Sequence, residues 1–442
     1  MNTPLQYLPA GRSAREIAAS VESAVRHGEL APGDQLPAVR RVAGELGISP
    51  STVAAAYREL HRRGIVAGVG RGGTRVRSRP PVSIRLALAA PPGTRNLVTG
   101  WPDPELLPAL PALPALPAAG APRRLYGEPP VLDRLGELAA AGLEADGISA
   151  RNLAVVSGAL DGVERVLGAW LAPGDRVVVE DPGHAGTHDL VAAMSFQPVP
   201  VPGDELGVRP EDLAAALGRG AEAVILTPRA QAATGAAWNA ERAGQLHEVL
   251  GRHPGLVVIE DDHAGPVAGV PPVSAIAGLD RWAVLRSVSK SLGPDLRVAV
   301  LAGDEATVSR VEGRQALGAG WVSYQLQAMV AELWADPATG NWLANVAATY
   351  AARRQAMQAA LARHGIAASG RSGLTSWIPV ADEGGVAAAL LARGWAVAMG
   401  ERFRIAAPPG IRVCYSTLAP AEATSFADEL SRILRQRPGR AD

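Results

Sequence analysis

Lys290 is the only lysine among the 442 residues, and arginine occupies the other 42 positions that carry a permanently basic side chain. Arginine can replace lysine in ion pairs and at phosphates, but its guanidinium keeps its proton and cannot act as an amine nucleophile. The retained lysine therefore indicates amine chemistry, most commonly an imine with the aldehyde of pyridoxal phosphate. The alternative is a stray surface lysine in an arginine-biased sequence. The flanking string from Ser287 to Arg297, SVSKSLGPDLR, favours the chemical interpretation.

A second group that this chemistry requires is a carboxylate that keeps the pyridine nitrogen of the cofactor protonated. Asp261 is the candidate, because it lies at the end of an apolar run, where an unpaired charge is costly. The ordinary alternative is an aspartate that caps a helix. Phosphate is held by hydroxyl groups, arginines and backbone N–H groups, and the string Ser157-Gly158-Ala159 follows another apolar run and opens a helical pattern.

The elements that must position these residues are seven apolar runs, which alternate with helical patterns from residue 150 onward. Such runs are typical of a mostly parallel sheet that is covered by helices on both faces. In these sheets ligands bind at the carboxyl ends of the strands, where the residues named above fall. The sequence therefore predicts an α/β fold with strands at 153–156, 176–180, 198–201, 223–226, 256–260, 282–285 and 299–302.

The first part of the chain is basic. Between residues 11 and 79, twelve arginines face six acidic residues, although the formal net charge of the whole chain is zero. Helical patterns at 14–25, 36–46 and 51–62 precede a glycine-rich hairpin pattern at 65–76, with Pro37 in the first turn of the second helix and Pro50 opening the third. This order predicts a winged helix-turn-helix that binds DNA. The alternative is a small helical adaptor with a solvated basic face.

Composition divides the chain into three segments. Residues 1–78 form the predicted DNA-binding domain, 79–97 a linker, and 98–442 a larger domain with a small subdomain at about 340–442. The single cysteine, Cys414, excludes an intramolecular disulfide, and no Cys/His cluster has the spacing of metal ligands. Because the sequence shows neither an export signal nor an apolar run long enough for a membrane, the expected location is the cytoplasm.

The string from Gly28 to Arg40, followed by Ile48-Ser49-Pro50-Ser51-Thr52-Val53, resembles the winged-helix domain of GntR-type repressors. The resemblance implies contacts with a DNA operator from Arg40, Ser49, Ser51 and Thr52, and from Gly70 and Arg71 in the wing. One departure is Pro50, because many family members carry arginine there. The operator therefore cannot be inferred from relatives.

A second resemblance is carried by Thr52-Val-Ala-Ala-Ala-Tyr57, Tyr126-Gly-Glu-Pro-Pro-Val131, Ser157-Gly-Ala, Thr227-Pro-Arg-Ala, Asp261-Asp-His263, Arg286 to Arg297, Trp321-Val-Ser and Ile411-Arg412-Val. From about Gly100 to its end the chain resembles fold-type-I aminotransferases, which bind pyridoxal phosphate. With the winged helix in front, the whole chain is similar to the MocR subgroup of GntR-type regulators, and within it to PtsJ-type regulators of vitamin B6 salvage.

The resemblance implies a role for each matching residue. Lys290 corresponds to the lysine that binds the cofactor aldehyde, and Asp261 to the partner of the pyridine nitrogen. Arg412 corresponds to the arginine that binds a substrate carboxylate. The phosphate ligands correspond to Ser287, Arg297 and the backbone of Gly158 and Ala159, together with Tyr126 from the other subunit of a homodimer.

Three positions depart from the aminotransferase pattern. His263 stands in place of a tyrosine that donates to the phenolic oxygen of the cofactor, and Ala232 in place of an asparagine that bonds the same oxygen. His184 lies where an aromatic ring usually stacks on the cofactor, although an ordinary loop histidine is an equal alternative. A site that keeps cofactor binding and loses part of this tuning favours a sensor over a transaminase.

Three functions remain open at this point. The first, which the departures favour, is a DNA-binding regulator that senses pyridoxal phosphate, or an amine or amino-acid effector, and by resemblance controls vitamin B6 metabolism. The second is an active pyridoxal-phosphate-dependent aminotransferase with an accessory DNA-binding domain, which Lys290 and Arg412 favour. The third is a scaffold in which Lys290 is vestigial, and the retention of a single lysine argues against it.

Overall fold

The structure is a computed structural model of the chain, and it describes residues 7–62, 65–67, 73–76, 90–110 and 125–436. The chain divides into two compact units, which are described separately. The first contains the N-terminal part of the chain together with Leu171–Arg176 and Asp189–Pro198, and the second contains the remainder. None of the helices in the described ranges is long and apolar enough to cross a membrane.

Three helices and a hairpin make up the N-terminal part of the first unit. The helices are α1 (Ala14–Arg26), α2 (Val39–Leu46) and α3 (Pro50–Arg62), and the antiparallel strands are β1 (Val66–Ala67) and β2 (Arg75–Val76). Fully buried Ile17 and Val21 of α1 pack in one core with Val53 and Leu60 of α3. The predicted helix-turn-helix with a following hairpin is confirmed for the described residues.

The second helix is shorter than predicted, because it begins at Val39 and not at Leu36. Pro37 therefore precedes the helix and does not lie in its first turn. A proline disfavours helical backbone in the residue before it, here Leu36. The backbone N–H of Leu36 donates to the carbonyl oxygen of Thr74 at 2.8 Å, which ties this residue to the hairpin. Gly47 ends α2 with a φ of 63°, a left-handed conformation that favours glycine.

The rest of the chain contains thirteen further described strands. Their bounds are β3 (Arg95–Leu97), β4 (Leu153–Val156), β5 (Arg176–Glu180), β6 (Gln197–Val201), β7 (Gly203–Asp204), β8 (Gly207–Val208), β9 (Ala223–Leu226), β10 (Val257–Asp262), β11 (Arg281–Ser287), β12 (Ala299–Gly303), β13 (Thr375–Pro379), β14 (Trp395–Met399) and β15 (Gly410–Cys414). Seven of them form one sheet in the order β4-β12-β11-β10-β9-β5-β6. The seven predicted strands are confirmed, and β12 is antiparallel to both of its neighbours.

Helices cover both faces of the seven-stranded sheet. The helices described in this part of the chain are α4 (Asp133–Ala145), α5 (Ala159–Trp170), α6 (Ala185–Ala193), α7 (Pro210–Leu217), α8 (Ala240–Leu250), α9 (Glu305–Ala316), α10 (Tyr324–Ala335), α11 (Pro337–Ala362), α12 (Glu383–Leu391) and α13 (Pro420–Gln436), of which α12 and α13 pack on a second sheet. On one face, Val224 and Val258 pack in a core with Leu246 of α8. On the other face α5 approaches so closely that a Cβ on Gly162 would lie 2.2 Å from Leu285. The predicted two-sided covering of the sheet is confirmed.

A second sheet has the order β13-β15-β14-β3 and shares a core with α11 and α13. Three of its strands come from the region predicted as a C-terminal subdomain. The fourth is β3, which pairs in parallel with β14. Residues 95–97, which were predicted to end the linker, form this strand. The strand was missed because its partner, beginning at Trp395, lies far away in the sequence.

Candidate functional site

The residues predicted to do chemistry meet at one edge of the large sheet. Asp261 lies near the end of β10, Ser287 ends β11, and Gly158 follows β4. Strands β10 and β11 are parallel, and β12 runs antiparallel between β11 and β4. The chain therefore runs in one direction along β4, β10 and β11, and the carboxyl ends of these strands share an edge.

Lys290 follows β11 and is partly buried. Its Nζ donates to the carbonyl oxygen of Gly100 at 2.5 Å. Burial lowers the pKa of Lys290 to about 8; nearby Arg412 lowers it further, whereas Asp261 opposes the shift. At pH 7 about a tenth of the amine is then neutral, far more than for an ordinary lysine. The environment thus favours the nucleophilic form of this side chain.

Asp261 is only 6% exposed, and its two carboxylate oxygens differ. Oδ2 lies 3.8 Å from Nδ1 of His263, whereas Oδ1 is buried without a hydrogen-bond partner among the described residues. Burial, together with the charges of Asp262 and Glu180, raises the pKa of Asp261 to about 7. Buried polar atoms normally have partners, so an unpaired Oδ1 fits a carboxylate whose partner is a bound cationic group.

The neighbouring Asp262 has a different environment, which was not foreseen from the sequence. Arg229 holds both of its oxygens, at 2.7 and 2.8 Å, and Arg286 Nε donates to it at 3.0 Å. Although Asp262 is buried, the Arg229 guanidinium keeps its pKa below the ordinary value. Successive side chains of a strand point to opposite faces of the sheet. Because the arginines bind Asp262 on one face, Asp261 points to the other face, where the candidate site lies. The sequence contained a signal for this difference, because side chains alternate between the two faces along β10 and only one of two consecutive aspartates can point to the site.

Arg297 lies beside the turn that precedes α5. Its Nη2 donates to the carbonyl oxygen of Ser157 at 2.8 Å. The φ of Gly158 is 97°, a backbone conformation that favours glycine, and a Cβ there would lie 2.4 Å from the same nitrogen and displace the Arg297 side chain. Because α5 begins at Ala159, its first backbone N–H groups lack helical partners. Arg297, Gly158 and Ala159 are thus brought together at a turn whose N–H donors are of the kind that bind anions.

Ser287 lies across the sheet from that turn. It is in register with Ala299 of β12, which is in register with Val156 at the end of β4. Its Oγ accepts from the backbone N–H of Ser289 at 3.2 Å and lies 2.9 Å from the Ser289 hydroxyl. Ser289 was not among the predicted ligands.

Two neutral histidines belong to the site. Burial lowers the pKa of His184 to about 3 and the pKa of His263 to about 4; the Lys290 charge lowers both further. At physiological pH each ring therefore has one donor and one acceptor nitrogen. His184 Nδ1 lies 3.1 Å from the hydroxyl of Thr187, which fixes the ring.

Arg412 on β15 is 6% exposed and lies over the ring of Phe403, with 4.3 Å from Cζ to the ring centroid. Its Nη1 donates to the carbonyl oxygen of Ala232 at 3.4 Å, and its Nη2 to that of Val98. Its buried Nε has no hydrogen-bond acceptor within the described ranges. Burial lowers the pKa of Arg412 to about 10, so the side chain stays charged at neutral pH. Phe403 and Val98 were not foreseen.

Tyr126 is 92% exposed. Its ring meets Trp321 edge to face at 5.6 Å, and Trp321 stacks on Tyr324 at 5.8 Å. The structure thus places Tyr126 on the surface, apart from the buried side chains of the site in its own chain. Within the described part of the chain, no group of three or more His, Cys, Asp or Glu side chains could hold a metal ion.

The predicted DNA contacts fall on the first unit. Arg40 is exposed on α2, while Ser51 and Thr52 lie in the first turn of α3. Ser49 precedes that helix, and its Oγ accepts from the backbone N–H of Ser51 at 3.1 Å. The two predicted wing contacts, Gly70 and Arg71, lie outside the described residues.

Two family models match separate parts of the chain. The model for bacterial regulatory proteins of the gntR family matches residues 13–76. The model for aminotransferase class I and II matches residues 98–430, the greater part of the chain.

Individual proteins are similar over the same regions. The vitamin B6 salvage pathway transcriptional repressor PtsJ of Salmonella typhimurium is 39% identical over 432 residues, covering 96% of this chain and 99% of that protein. The HTH-type pyridoxine biosynthesis transcriptional regulator PdxR of Corynebacterium glutamicum is 27% identical over 300 residues, covering 65% of each. LysN, an α-aminoadipate aminotransferase of Thermus thermophilus solved with N-(5'-phosphopyridoxyl)-L-leucine, matches with a TM-score of 0.70 at 23% identity, over 81% of this chain and 95% of that one.

Proposed function

Because the chain belongs to the class I and II aminotransferase family and carries a gntR-family region in front of that fold, we propose that it is a transcription regulator whose DNA affinity depends on pyridoxal phosphate. The observation that carries the proposal is a candidate cofactor site with a buried carboxylate oxygen that has no hydrogen-bond partner among the described residues. The same chain also has a DNA-binding fold. Asp261 Oδ1 is unpaired among the described residues, and the amine of Lys290 has a lowered pKa.

The residues present fit pyridoxal phosphate. When bound, the cofactor supplies an aldehyde that reacts with a lysine amine and a ring that withdraws electrons. Lys290 provides the amine, and Asp261 Oδ1 accepts from the ring nitrogen. The hydroxyl of Ser287, the guanidinium of Arg297 and the backbone of Gly158 and Ala159 hold the phosphate. His184 and His263 supply neutral rings beside the cofactor.

Two features favour sensing over turnover. Ala232 has no side-chain donor, so it offers nothing to the phenolic oxygen that an asparagine would bind in an aminotransferase. His263 donates through one nitrogen only, and its protonation is suppressed by burial. The cofactor is then bound without the full set of contacts that control proton transfer.

The relatives suggest the signal and the regulated process. PtsJ is named for vitamin B6 salvage and PdxR for pyridoxine biosynthesis. By analogy, this chain controls genes of vitamin B6 metabolism and uses pyridoxal phosphate as the signal. A DNA-binding regulator acts where the chromosome lies, which supports the cytoplasm as its location.

Arg412 supports a second ligand. A buried guanidinium whose Nε has no acceptor among the described residues suits a bidentate carboxylate, so an amino acid that reaches the site would be held by its carboxylate. The exposed Tyr126 supports a homodimer, because its hydroxyl would reach the phosphate of a partner subunit. Light scattering tests this arrangement: a dimer is expected, and a cofactor-loaded monomer would contradict it.

The proposed function is tested through its reciprocal effect. A DNA duplex is first selected by the wild-type protein from a random-sequence pool. Cofactor affinity is then measured from the visible absorption band, with and without that duplex. If cofactor and DNA are coupled, the duplex must change cofactor affinity by the same factor as the cofactor changes DNA affinity, typically about 5- to 150-fold. Identical cofactor affinities would contradict the proposal.

A further inference from the structure

The segment Val98–Asp103, here called the strap, supplies backbone carbonyls to both cationic side chains of the site. The Lys290 Nζ donates to the Gly100 carbonyl oxygen at 2.5 Å, and Arg412 Nη2 donates to the Val98 carbonyl oxygen. Lys290 is also the expected cofactor lysine, and Arg412 the expected carboxylate ligand. The strap and the ligands therefore require the same two nitrogen atoms.

The strap fits closely against Arg412. A Cβ on Gly100 would lie 3.2 Å from Arg412 Nη1, closer than ordinary van der Waals contact. The φ of Gly100 lies outside the left-handed region, so the neighbouring guanidinium, and not the backbone conformation, favours glycine here.

Both ends of the strap are tied down. On the N-terminal side, Asn96 of β3 accepts from the backbone N–H of Val98 at 3.0 Å. On the C-terminal side, the backbone N–H of Asp103 donates to the hydroxyl of Tyr350 at 3.0 Å. The Asp103 carboxylate also pairs with Arg353 at 2.8 Å. A change in the middle of the strap therefore acts on β3 and on α11.

Ligand binding removes the donors from the middle of the strap. When the neutral Lys290 amine condenses with the cofactor aldehyde, a carbon–nitrogen double bond forms, and the aldehyde oxygen leaves as water with both amine hydrogens. The nitrogen then carries no hydrogen unless it takes up a proton from its surroundings, and a bound cofactor can accept that single proton in place of Gly100. A carboxylate that binds Arg412 through Nε and Nη2 competes with the Val98 carbonyl for Nη2. Val98 and Gly100 are half-buried, and a carbonyl that loses its donor is costly until it gains another partner, which favours movement of the strap toward solvent.

We propose that ligand binding at Lys290 and Arg412 releases the strap, and that β3 passes this release to the segment joining it to the DNA-binding region. The proposal rests on the proposed function, because it names how the same site regulates DNA binding. Its chemical basis is competition between backbone carbonyls of this chain and the two ligands for two shared donors.

The test uses hydrogen–deuterium exchange on the full-length protein, with and without pyridoxal phosphate. In the wild type, the cofactor is expected to speed exchange of the backbone amides of the strap. Tyr350→Phe removes the hydroxyl that accepts from Asp103, and it should speed the same exchange without cofactor. This variant should also bind the cofactor about 2- to 10-fold more tightly, the range expected for one lost competing hydrogen bond. Its DNA affinity should shift in the direction in which the cofactor shifts the wild type.

Tyr415→Phe is the matched control. This tyrosine is also buried, and its hydroxyl donates to the carbonyls of Gly373 and Thr375, outside the strap. We expect wild-type exchange in the strap and wild-type cofactor affinity. Equal effects of Tyr415→Phe and Tyr350→Phe would overturn the assignment to the strap.

The experiment gives different results if the strap proposal is wrong and if the proposed function is wrong. If the cofactor changes DNA affinity while strap exchange stays constant in the wild type, the strap is not the connection and the proposed function stands. If strap exchange responds and DNA affinity does not, the coupling to DNA is wrong, and the proposed function falls with it.

Discussion

Asp261 lies near the end of β10 and His263 directly after that strand, with Asp261 Oδ2 3.8 Å from His263 Nδ1 and Asp261 Oδ1 without a partner among the described residues. Because burial lowers the pKa of His263 to about 4, the imidazole brings no positive charge to this carboxylate at neutral pH. Lys290 is the cation that favours its ionised form. The site therefore contains a buried carboxyl group that a protonated ring nitrogen would stabilise.

The first prediction concerns stability and pH. The pKa of Asp261 is raised from 3.8 to about 7 on folding, so the folded chain binds a proton that the unfolded chain has lost between these values. Stability of the cofactor-free protein should therefore fall as pH rises from about 4 to about 7, by on the order of a few kcal/mol from this group. Asp261→Asn cannot ionise and should remove this part of the slope, as measured by urea unfolding across the pH range.

The exposed Asp280→Asn is the control for that experiment, and it should keep the wild-type slope. Parallel pH profiles for Asp261→Asn and the wild type would show that Asp261 is not the source of the loss. In the presence of cofactor, the wild type should be more stable than Asp261→Asn. The reason is that the Asp261 carboxylate stabilises the protonated ring nitrogen, whereas an amide does not.

The second prediction concerns the reactivity of Lys290. Because its pKa is lowered from 10.5 to about 8, the rate at which pyridoxal phosphate attaches should rise about tenfold per pH unit below 8 and level off above it. The measurement is the growth of the visible absorption band after mixing. Lys290→Arg keeps the charge and should give no band and no cofactor attached after borohydride reduction. A rate that keeps rising toward pH 10 would reject the perturbed amine.

The sequence was sufficient to predict the large sheet because its strands are buried on both faces and read as continuous apolar runs. Val224 and Ile225, for example, are adjacent and both buried, on opposite faces of β9. The strand β3 could not be found this way, because three residues gain their regular structure only from the distant β14.

The candidate site was predicted only in part, for physical reasons that differ between residues. Side chains such as Lys290 and Asp261 are distinctive in chemistry and in their strand-end positions. The contacts of the strap use backbone carbonyls, which every residue has. The only feature of the sequence that indicates these contacts is the glycine at position 100. The clamp of Arg229 on Asp262 requires two strands to be adjacent, although the alternation along β10 already allowed only one of the two aspartates into the site.

The third prediction concerns DNA. Arg40→Ala and Thr52→Ala should weaken binding to the selected duplex while cofactor content stays constant. For each lost phosphate contact, the slope of log affinity against log salt should decrease by about 1. Arg15→Ala, an exposed arginine on α1, is the matched control and should keep the wild-type slope. Unchanged affinity in both test variants would reject this recognition surface.

The fourth prediction concerns turnover. The wild type should convert ordinary amino acids very slowly, because Ala232 and His263 leave the phenolic oxygen of the cofactor poorly held. Ala232→Asn combined with His263→Tyr restores both donors and should speed the single-turnover reaction in stopped-flow mixing. Rapid multiple turnover by the wild type, together with a DNA affinity that does not change with the cofactor, would favour an active aminotransferase over a cofactor-dependent regulator.

The central claim is that pyridoxal phosphate bound at Lys290 changes the affinity for DNA, and fluorescence anisotropy of the selected duplex tests it most directly. At one fixed salt concentration, DNA affinity is measured for the wild type and for Lys290→Ala, each with and without the cofactor. We predict a change of about 5- to 150-fold in the wild type and no change in Lys290→Ala. A wild type that does not respond, or a Lys290→Ala variant that responds equally, would contradict the account.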